Sequence, residues 1–338
     1  MHKNCSMKRP IIIIAEIASA HSGNLDKQIK LIEEASRTGA DFVKVQVFRS
    51  NELVSEQSEQ FEEMSQIELE PGAWGSVLEF STDKKIDLIA EVFDRKSLSL
   101  LSGHKAIKGF KIPTADITDL DFINMVCAEK KPIFLGVGGA TKEEIDRAVS
   151  CLLSHEDIHV TLMHGIQSFP TDIEDCLLDR ISYLKEVYKF EVGYADHIDA
   201  EESELARNIP AMSLAAGATV IEKHIILERE TKGFDYYSSL TPEEFKHFVK
   251  YIHTISEAIG VHNNLELTAA EKTYRNNMKR FAVLNKGVEK NSLLKDASLS
   301  YLRTPNPGMT RSEVLINKNK RFKDSNPAGH IISATEFD

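Results

Sequence analysis

Residues 193–224 read GYADHIDAEESELARNIPAMSLAAGATVIEKH. Each of two short apolar runs ends near a histidine, His197 in GYADH and His224 in GATVIEKH, 27 residues apart (224 − 197). A helix-like stretch from Glu201 to Ala216 lies between them. That is one βαβ step, which sets two parallel strands side by side. Both imidazoles then emerge on one edge of a sheet, close enough to share a metal ion.

The same step repeats along the chain. Apolar runs recur at Ile11–Ala15, Phe42–Gln46, Leu88–Phe93, Gly109–Ile112, Pro132–Gly136, Val160–Met163, Glu191–Tyr194 and Val220–Lys223. Eight strands alternating with helices over about 250 residues match a (β/α)8 TIM barrel. A doubly wound open sheet is the alternative, disfavoured because no glycine-rich dinucleotide turn follows the first run. Helix ends are marked as well. Asn24 caps the segment from Leu25 that stops before Gly39, Thr141 precedes KEEIDRAV, and Thr241-Pro242 supplies a cap and an N1 proline. Pro71 opens another helix, with Trp74, Val77, Leu78 and Ile86 at helical spacing.

After residue 262 the texture changes. Residues 263–280 are polar and read as a linker or a lone helix, and 281–338 give short β-like pieces (FAVLNKG, SLLKD, LSYL) broken by PNPG. The reading is a barrel over 1–262 and a small, mostly β domain over 281–338, marginal for folding alone.

Composition narrows the function. The 338 residues carry a formal net charge of −11, which repels a phosphate backbone and disfavours nucleic acid as a partner. Cys5, Cys127, Cys151 and Cys176 form no C-x-x-C pair, as expected of free thiols in a reducing cytoplasm. Glu16 interrupts the N-terminal apolar run, so secretion is not expected, and no run approaches the ~20 residues of a membrane helix.

In a barrel the chemistry collects at the strand ends. Glu16 ends the first strand, Lys44 and Gln46 lie on the second, and Lys111 on the fourth with Thr114 and Asp116 beyond. His164 ends the sixth, followed by Gln167 and Phe169; Asp196 and His197 end the seventh; Glu222, Lys223 and His224 end the eighth. Each has a plainer reading. A lysine in a strand is usually an exposed edge residue, but a closed barrel has no edge, so Lys44 and Lys111 need an anionic partner. That partner is a substrate phosphate or carboxylate, or Glu16 itself. Either histidine alone is more often a hydrogen-bonded core residue; two at matching positions suit Mn²⁺ or Mg²⁺ completed by water and substrate oxygens. Lys223, alternating to the opposite face from His224, is expected to be structural.

The stretches IAEIASAHSGNLDKQIKLIEEASRTGADFVKVQVF, FKIPTADITDLDFINMV, FPTDIED, VGYADH, GATVIEKH and SLTPEEF resemble, in this order, the sialic acid synthase family. That family comprises N-acetylneuraminate, legionaminate and pseudaminate synthases and spore-coat polysaccharide proteins; the terminal domain resembles its antifreeze-like (SAF) domain. The resemblance implies a cytoplasmic enzyme that condenses phosphoenolpyruvate with an N-acylated mannosamine-type sugar into a nine-carbon 2-keto acid. It implies a divalent metal on His197 and His224, catalytic roles for Glu16 and Asp116, and Lys44 and Lys111 on phosphate and carboxylate. Gln46 and Asp235 match substrate-binding residues, Thr114 is assigned to the same site, Gln167 and Phe169 stand there in place of the family's asparagine and tyrosine, and Arg303 matches an arginine lent across a domain-swapped homodimer. Several small hydroxyls are replaced: AEVFD puts Glu91 where the family has threonine, GVGG puts Gly136 for serine, and YADH puts Ala195 for serine. A buried glutamate beside a phosphate is costly unless paired or protonated. These losses leave open a lyase or aldolase on the same barrel without phosphoenolpyruvate, or a catalytically reduced glycan-binding relative.

Overall fold

The computed structural model describes residues 10–233, 235–260 and 266–338; Cys5 and linker residues 263–265 lie outside them. The strands are β1 (Ile12–Glu16), β2 (Phe42–Val47), β3 (Leu88–Val92), β4 (Ile107–Ile112), β5 (Ile133–Gly136), β6 (Val160–His164), β7 (Glu191–Asp196) and β8 (Val220–Ile225). Each pairs in parallel with the next, and β8 closes back on β1 with Glu16 beside His224. This is a (β/α)8 barrel; the doubly wound alternative fails because its sheet has two free edges. A two-residue strand, β9 (Ser239–Leu240), extends β8.

The helices are α1 (Leu25–Arg37), α2 (Ser50–Leu53), α3 (Phe61–Ile67), α4 (Pro71–Lys84), α5 (Arg95–Leu101), α6 (Leu120–Ala128), α7 (Lys142–Leu153), α8 (Asp179–Tyr188), α9 (Leu205–Ala216) and α10 (Pro242–Ile259). The expected caps form. Asn24 Oδ1 accepts the Lys27 N–H at 2.8 Å, and Thr141 and Thr241 close capping boxes with Glu144 and Glu244. The helix between the two histidines begins at Leu205, four residues later than expected, because Asp199 Oδ1 takes the Glu201 N–H and holds a turn there.

The helices pack their apolar faces on the outside of the barrel, burying Leu31, Trp74, Phe122, Phe245 and Phe248. Inside it, side chains alternate along every strand. A lower layer of Ile14, Ile89, Phe134, Met163, Ala195 and Val220 is apolar and buried. Two residues further along the same strands, Glu16, Glu91 and Glu222 point the same way.

Residues 1–261 form one compact unit and 262–338 a second. In the second, α11 (Ala269–Met278) precedes an antiparallel pair, β10 (Phe281–Leu284) and β11 (Leu299–Leu302), and α12 (Arg311–Ile316) follows. Its own core holds Leu284, Leu294, Met309, Phe322 and Ile332. FAVL and LSYL are strands as expected. SLLKD is a 3-10 turn over Leu294–Asp296, since it buries only Leu294 and so lacks a strand's repeating inward side chain.

Among the described residues no helix is long and apolar enough to cross a membrane. Cys127, Cys151 and Cys176 are free.

Candidate active site

A cavity of about 310 Å³ opens at the C-terminal ends of the strands. Glu16, Lys44, Gln46, Lys111, Thr114, Gln167, Phe169, His197, His224 and Asp235 all line it. Asp116 does not: it sits half-buried in the turn after β4, its Oδ2 buried without a hydrogen-bond partner. Arg303 belongs to the second unit, where it is exposed just after β11.

The floor is an ion network. Lys44 Nζ contacts Glu16 Oε2, Glu91 Oε2 at 2.6 Å and Glu222 Oε1 at 2.9 Å. Lys111 Nζ donates to the same Glu222 oxygen at 2.7 Å and lies 3.5 Å from Glu91 Oε1. All five side chains are nearly inaccessible. Both lysines therefore point inward as closure of the barrel demands, and Glu16 does pair with Lys44, as the plainer reading had it. Glu91 is paired, which removes most of the cost of burying it. Burial alone would raise the Glu91 carboxyl, but the Lys111 and then the Lys44 ammonium hold it below its ordinary range. Glu222 is depressed in the same way: burial works against its charge, and Lys111 and Lys44 prevail.

Glu222 is the member of this network that stands at a strand end in the sequence without an assigned role. It stands two residues before His224, hence on the same inward face, and that period-two spacing is the available signal. Lys223, on the opposite face, is fully buried outside the barrel wall, where Nζ donates to Asp196 Oδ2 at 2.5 Å and to the Ile198 carbonyl at 3.1 Å. It is structural, as expected.

The histidine rings stand with centroids 5.3 Å apart and planes inclined at 51°. His197 Nδ1 lies 2.8 Å from the Ile166 carbonyl oxygen, which can only accept, so Nδ1 carries the proton and Nε2 keeps its lone pair. His224 Nδ1 is buried with no hydrogen-bond partner, 4.0 Å from Asp235 Oδ2. Burial pushes His197 down to about 4. Burial, then His197 and Lys44, push His224 well below its ordinary value. Both rings are neutral at pH 7, the state in which imidazole binds a metal. No third His, Cys, Asp or Glu completes a ligand set with them among the described residues. The pair thus fits an ion that draws its remaining ligands from water and substrate. The Phe169 ring packs edge-on against His197, centroids 4.5 Å apart, and covers that side of the pair.

The facing wall carries little polarity. Gly136, Met163 and Ala195 contribute no side-chain donor. A Cβ on Gly136 would stand 2.8 Å from both the backbone nitrogen and Oγ1 of Thr114. Thr114 therefore fills the space where the resemblance puts a serine at 136, and its own Oγ1 is buried without a partner. Helices α2 and α3, too short to show a period in the sequence, bring Leu53 and Met64 to the cavity. Burial lifts Asp235 to about 6.

A model of the NeuB family matches residues 31–264. The N,N'-diacetyllegionaminic acid synthase of Campylobacter jejuni is 29% identical over 311 residues, covering 87% of this chain and 91% of that protein. The crystal structure of the N-acetylneuraminic acid (sialic acid) synthetase from Leptospira borgpetersenii superposes with a TM-score of 0.73 at 30% identity, over 80% of this chain and 92% of that one. A spore coat polysaccharide biosynthesis protein E from Chromobacterium violaceum shares the fold, with a TM-score of 0.83 at 24% identity over 97% and 99% of the two chains. With its charged barrel floor, its histidine pair and this match over most of its length, the chain belongs to the NeuB family, enzymes of the sialic acid synthase type.

Proposed function

We propose that the protein condenses phosphoenolpyruvate with the open-chain form of an N-acylated mannosamine-type sugar, giving a nine-carbon 2-keto sugar acid and phosphate. The observation that carries this reading is the single cavity in which two neutral histidines face a two-lysine floor. A divalent ion, Mn²⁺ or Mg²⁺, held by His197 Nε2 and His224 would polarise the sugar aldehyde as a Lewis acid. Lys44 and Lys111 hold the phosphate and carboxylate of the donor. The alkene carbon of the donor forms the new bond to the aldehyde carbon, water adds at the carbon bearing the phosphate ester, and phosphate leaves as the ketone forms. Glu222 and Glu91 favour the charged form of both lysines against the effect of burial, and Glu16 helps to aim Lys44. Asp235, Gln46, Gln167 and Thr114 are the polar groups available to sugar hydroxyls and the N-acyl group, and Phe169 shields the histidines from solvent.

Asp116, for which the resemblance implies a catalytic role, sits two residues beyond Thr114 in the same turn and outside the cavity lining. In this reading Arg303 reaches the sugar pocket from the second subunit of a domain-swapped homodimer, the terminal unit acts as a SAF domain, and the enzyme works in the cytoplasm without nucleic acid or membrane partners.

One observation favours a second reading: both lysines are already satisfied by carboxylates. A lyase or aldolase that handles an unphosphorylated keto acid would meet that floor with less charge. Purified protein with Mn²⁺, phosphoenolpyruvate and a panel of N-acyl hexosamines should release phosphate only when the right sugar is present. Absence of sugar-dependent phosphate, together with pyruvate release from a keto-sugar acid, would select the second reading.

A further inference from the structure

Lys44 and Lys111 are the only cationic side chains among the described residues that line the cavity. Against their two charges the network sets three carboxylates, Glu16, Glu91 and Glu222, a formal balance of −1 (2 − 3). Glu16 and Glu222 approach from β1 and β8. Glu91 comes from the other side, on β3, in register with Gln46 on β2 and Lys111 on β4. Its two oxygens span the lysines, Oε2 at 2.6 Å from Lys44 and Oε1 at 3.5 Å from Lys111, and Gln46 Nε2 adds a third donor at 3.2 Å. A carboxylate with an oxygen toward each of two ammoniums and a neighbouring amide is coordinated as a bound anion is. It differs in being tied to the barrel wall by a strand whose backbone is fixed on both sides.

We propose that Glu91 is an internal anion, a specificity-determining residue that occupies the anion seat between Lys44 and Lys111 and sets the affinity of the site for the charged end of the donor. This deepens the proposed function at its donor end and rests on the two lysines being that end's seat. An incoming phosphate finds both ammoniums engaged and a fixed like charge within the seat. It binds by taking the lysines from Glu91, which leaves that carboxylate buried with Gln46 as its remaining partner. Such a stranded charge is costly, so the site binds simple phosphates weakly. On the opposite wall Gly136, Met163 and Ala195 offer no side-chain donor, and the neutral groups beside them, the Thr114 hydroxyl and the Gln167 amide, bring no positive charge in compensation. Glu222 is not equivalent to Glu91. It presents one oxygen to both lysines and stands on the strand that carries His224, leaving the β3 side as the face from which the lysines can be approached.

Inorganic phosphate titrated calorimetrically into the full-length, metal-free protein tests the assignment without needing sugar or turnover. The parent should bind it more weakly than about 1 mM. Glu91→Gln, nearly the same shape without the charge, should bind it at least about tenfold more tightly, and Glu91→Thr should move the same way. Circular dichroism and the fluorescence of Trp74 verify that each variant is folded. Micromolar binding of phosphate by the parent overturns the proposal without recourse to any variant. So does equal or weaker binding by folded Glu91→Gln and Glu91→Thr. The proposed function fails on a different readout, sugar-dependent phosphate release, so the two can fall separately. If both hold, the KM for phosphoenolpyruvate drops in Glu91→Gln alongside the phosphate Kd.

Discussion

Replacing Lys223 by methionine removes an ammonium from a site where both it and Asp196 are fully buried between the barrel and its helices. The Asp196 carboxylate keeps its burial and loses its counter-ion at 2.5 Å, and the Ile198 carbonyl loses a donor at 3.1 Å. A stranded buried charge of this kind costs about 3–5 kcal/mol, to which the lost hydrogen bond adds about 1 kcal/mol. Asp196→Leu should cost a similar amount by stranding the ammonium. Asp196→Leu combined with Lys223→Met leaves an apolar pair of comparable volume and should return to within about 2 kcal/mol of the parent, a coupling of about 6 kcal/mol or more on these figures. The assay is urea unfolding followed by fluorescence. Trp74 is the chain's one tryptophan and is buried on the inward face of α4, so the signal reports the barrel without the second unit. The reasoning is refuted if Lys223→Met costs less than about 1 kcal/mol, or if the double variant loses the sum of the singles.

Two further outcomes follow from the site's surroundings. A Cβ on Gly138 would run into the backbone carbonyl of Gly165, so Gly138→Ala should cost about 1–3 kcal/mol by the same titration, and a neutral result would mean that the ends of β5 and β6 have more room than described. Burial first, then Asp119, Glu91 and Asp94, raise Asp116 from 3.8 to about 6. A carboxyl raised on folding contributes its full stability below the unfolded value, and that contribution is lost as pH rises through the folded one. Asp116→Asn should therefore be more stable than the parent at pH 7.5, by about 1 kcal/mol after discounting for the group's partial exposure, and the gap should close between pH 6 and pH 4. A gap that widens on acidification would contradict the assignment.

The sequence alone was enough for the barrel, because its determinants are local and repeated. Eight apolar runs of strand length, separated by capped amphipathic helices, leave few arrangements in which every strand is covered on both faces. The positions of Glu16, Lys44, Lys111, His197 and His224 at strand ends were legible for the same reason: in a barrel, place along a strand is also place in space. Alternation within a strand likewise separated Lys223 from its neighbour His224, on opposite faces of β8. What the sequence could not express is partnership. Whether Glu91 serves Lys44, Lys111 or neither depends on the stagger between β2, β3 and β4, a few ångströms that no residue type encodes. Glu222 is separated from Lys44 by 178 residues and from Lys111 by 111, and only closure of the sheet brings one of its oxygens within 3 Å of both. Charge interactions fall off over such short distances that their outcome belongs to the tertiary structure. The sequence placed two lysines and two histidines at one mouth. The fold decided that the histidines are neutral and that the lysines are already engaged.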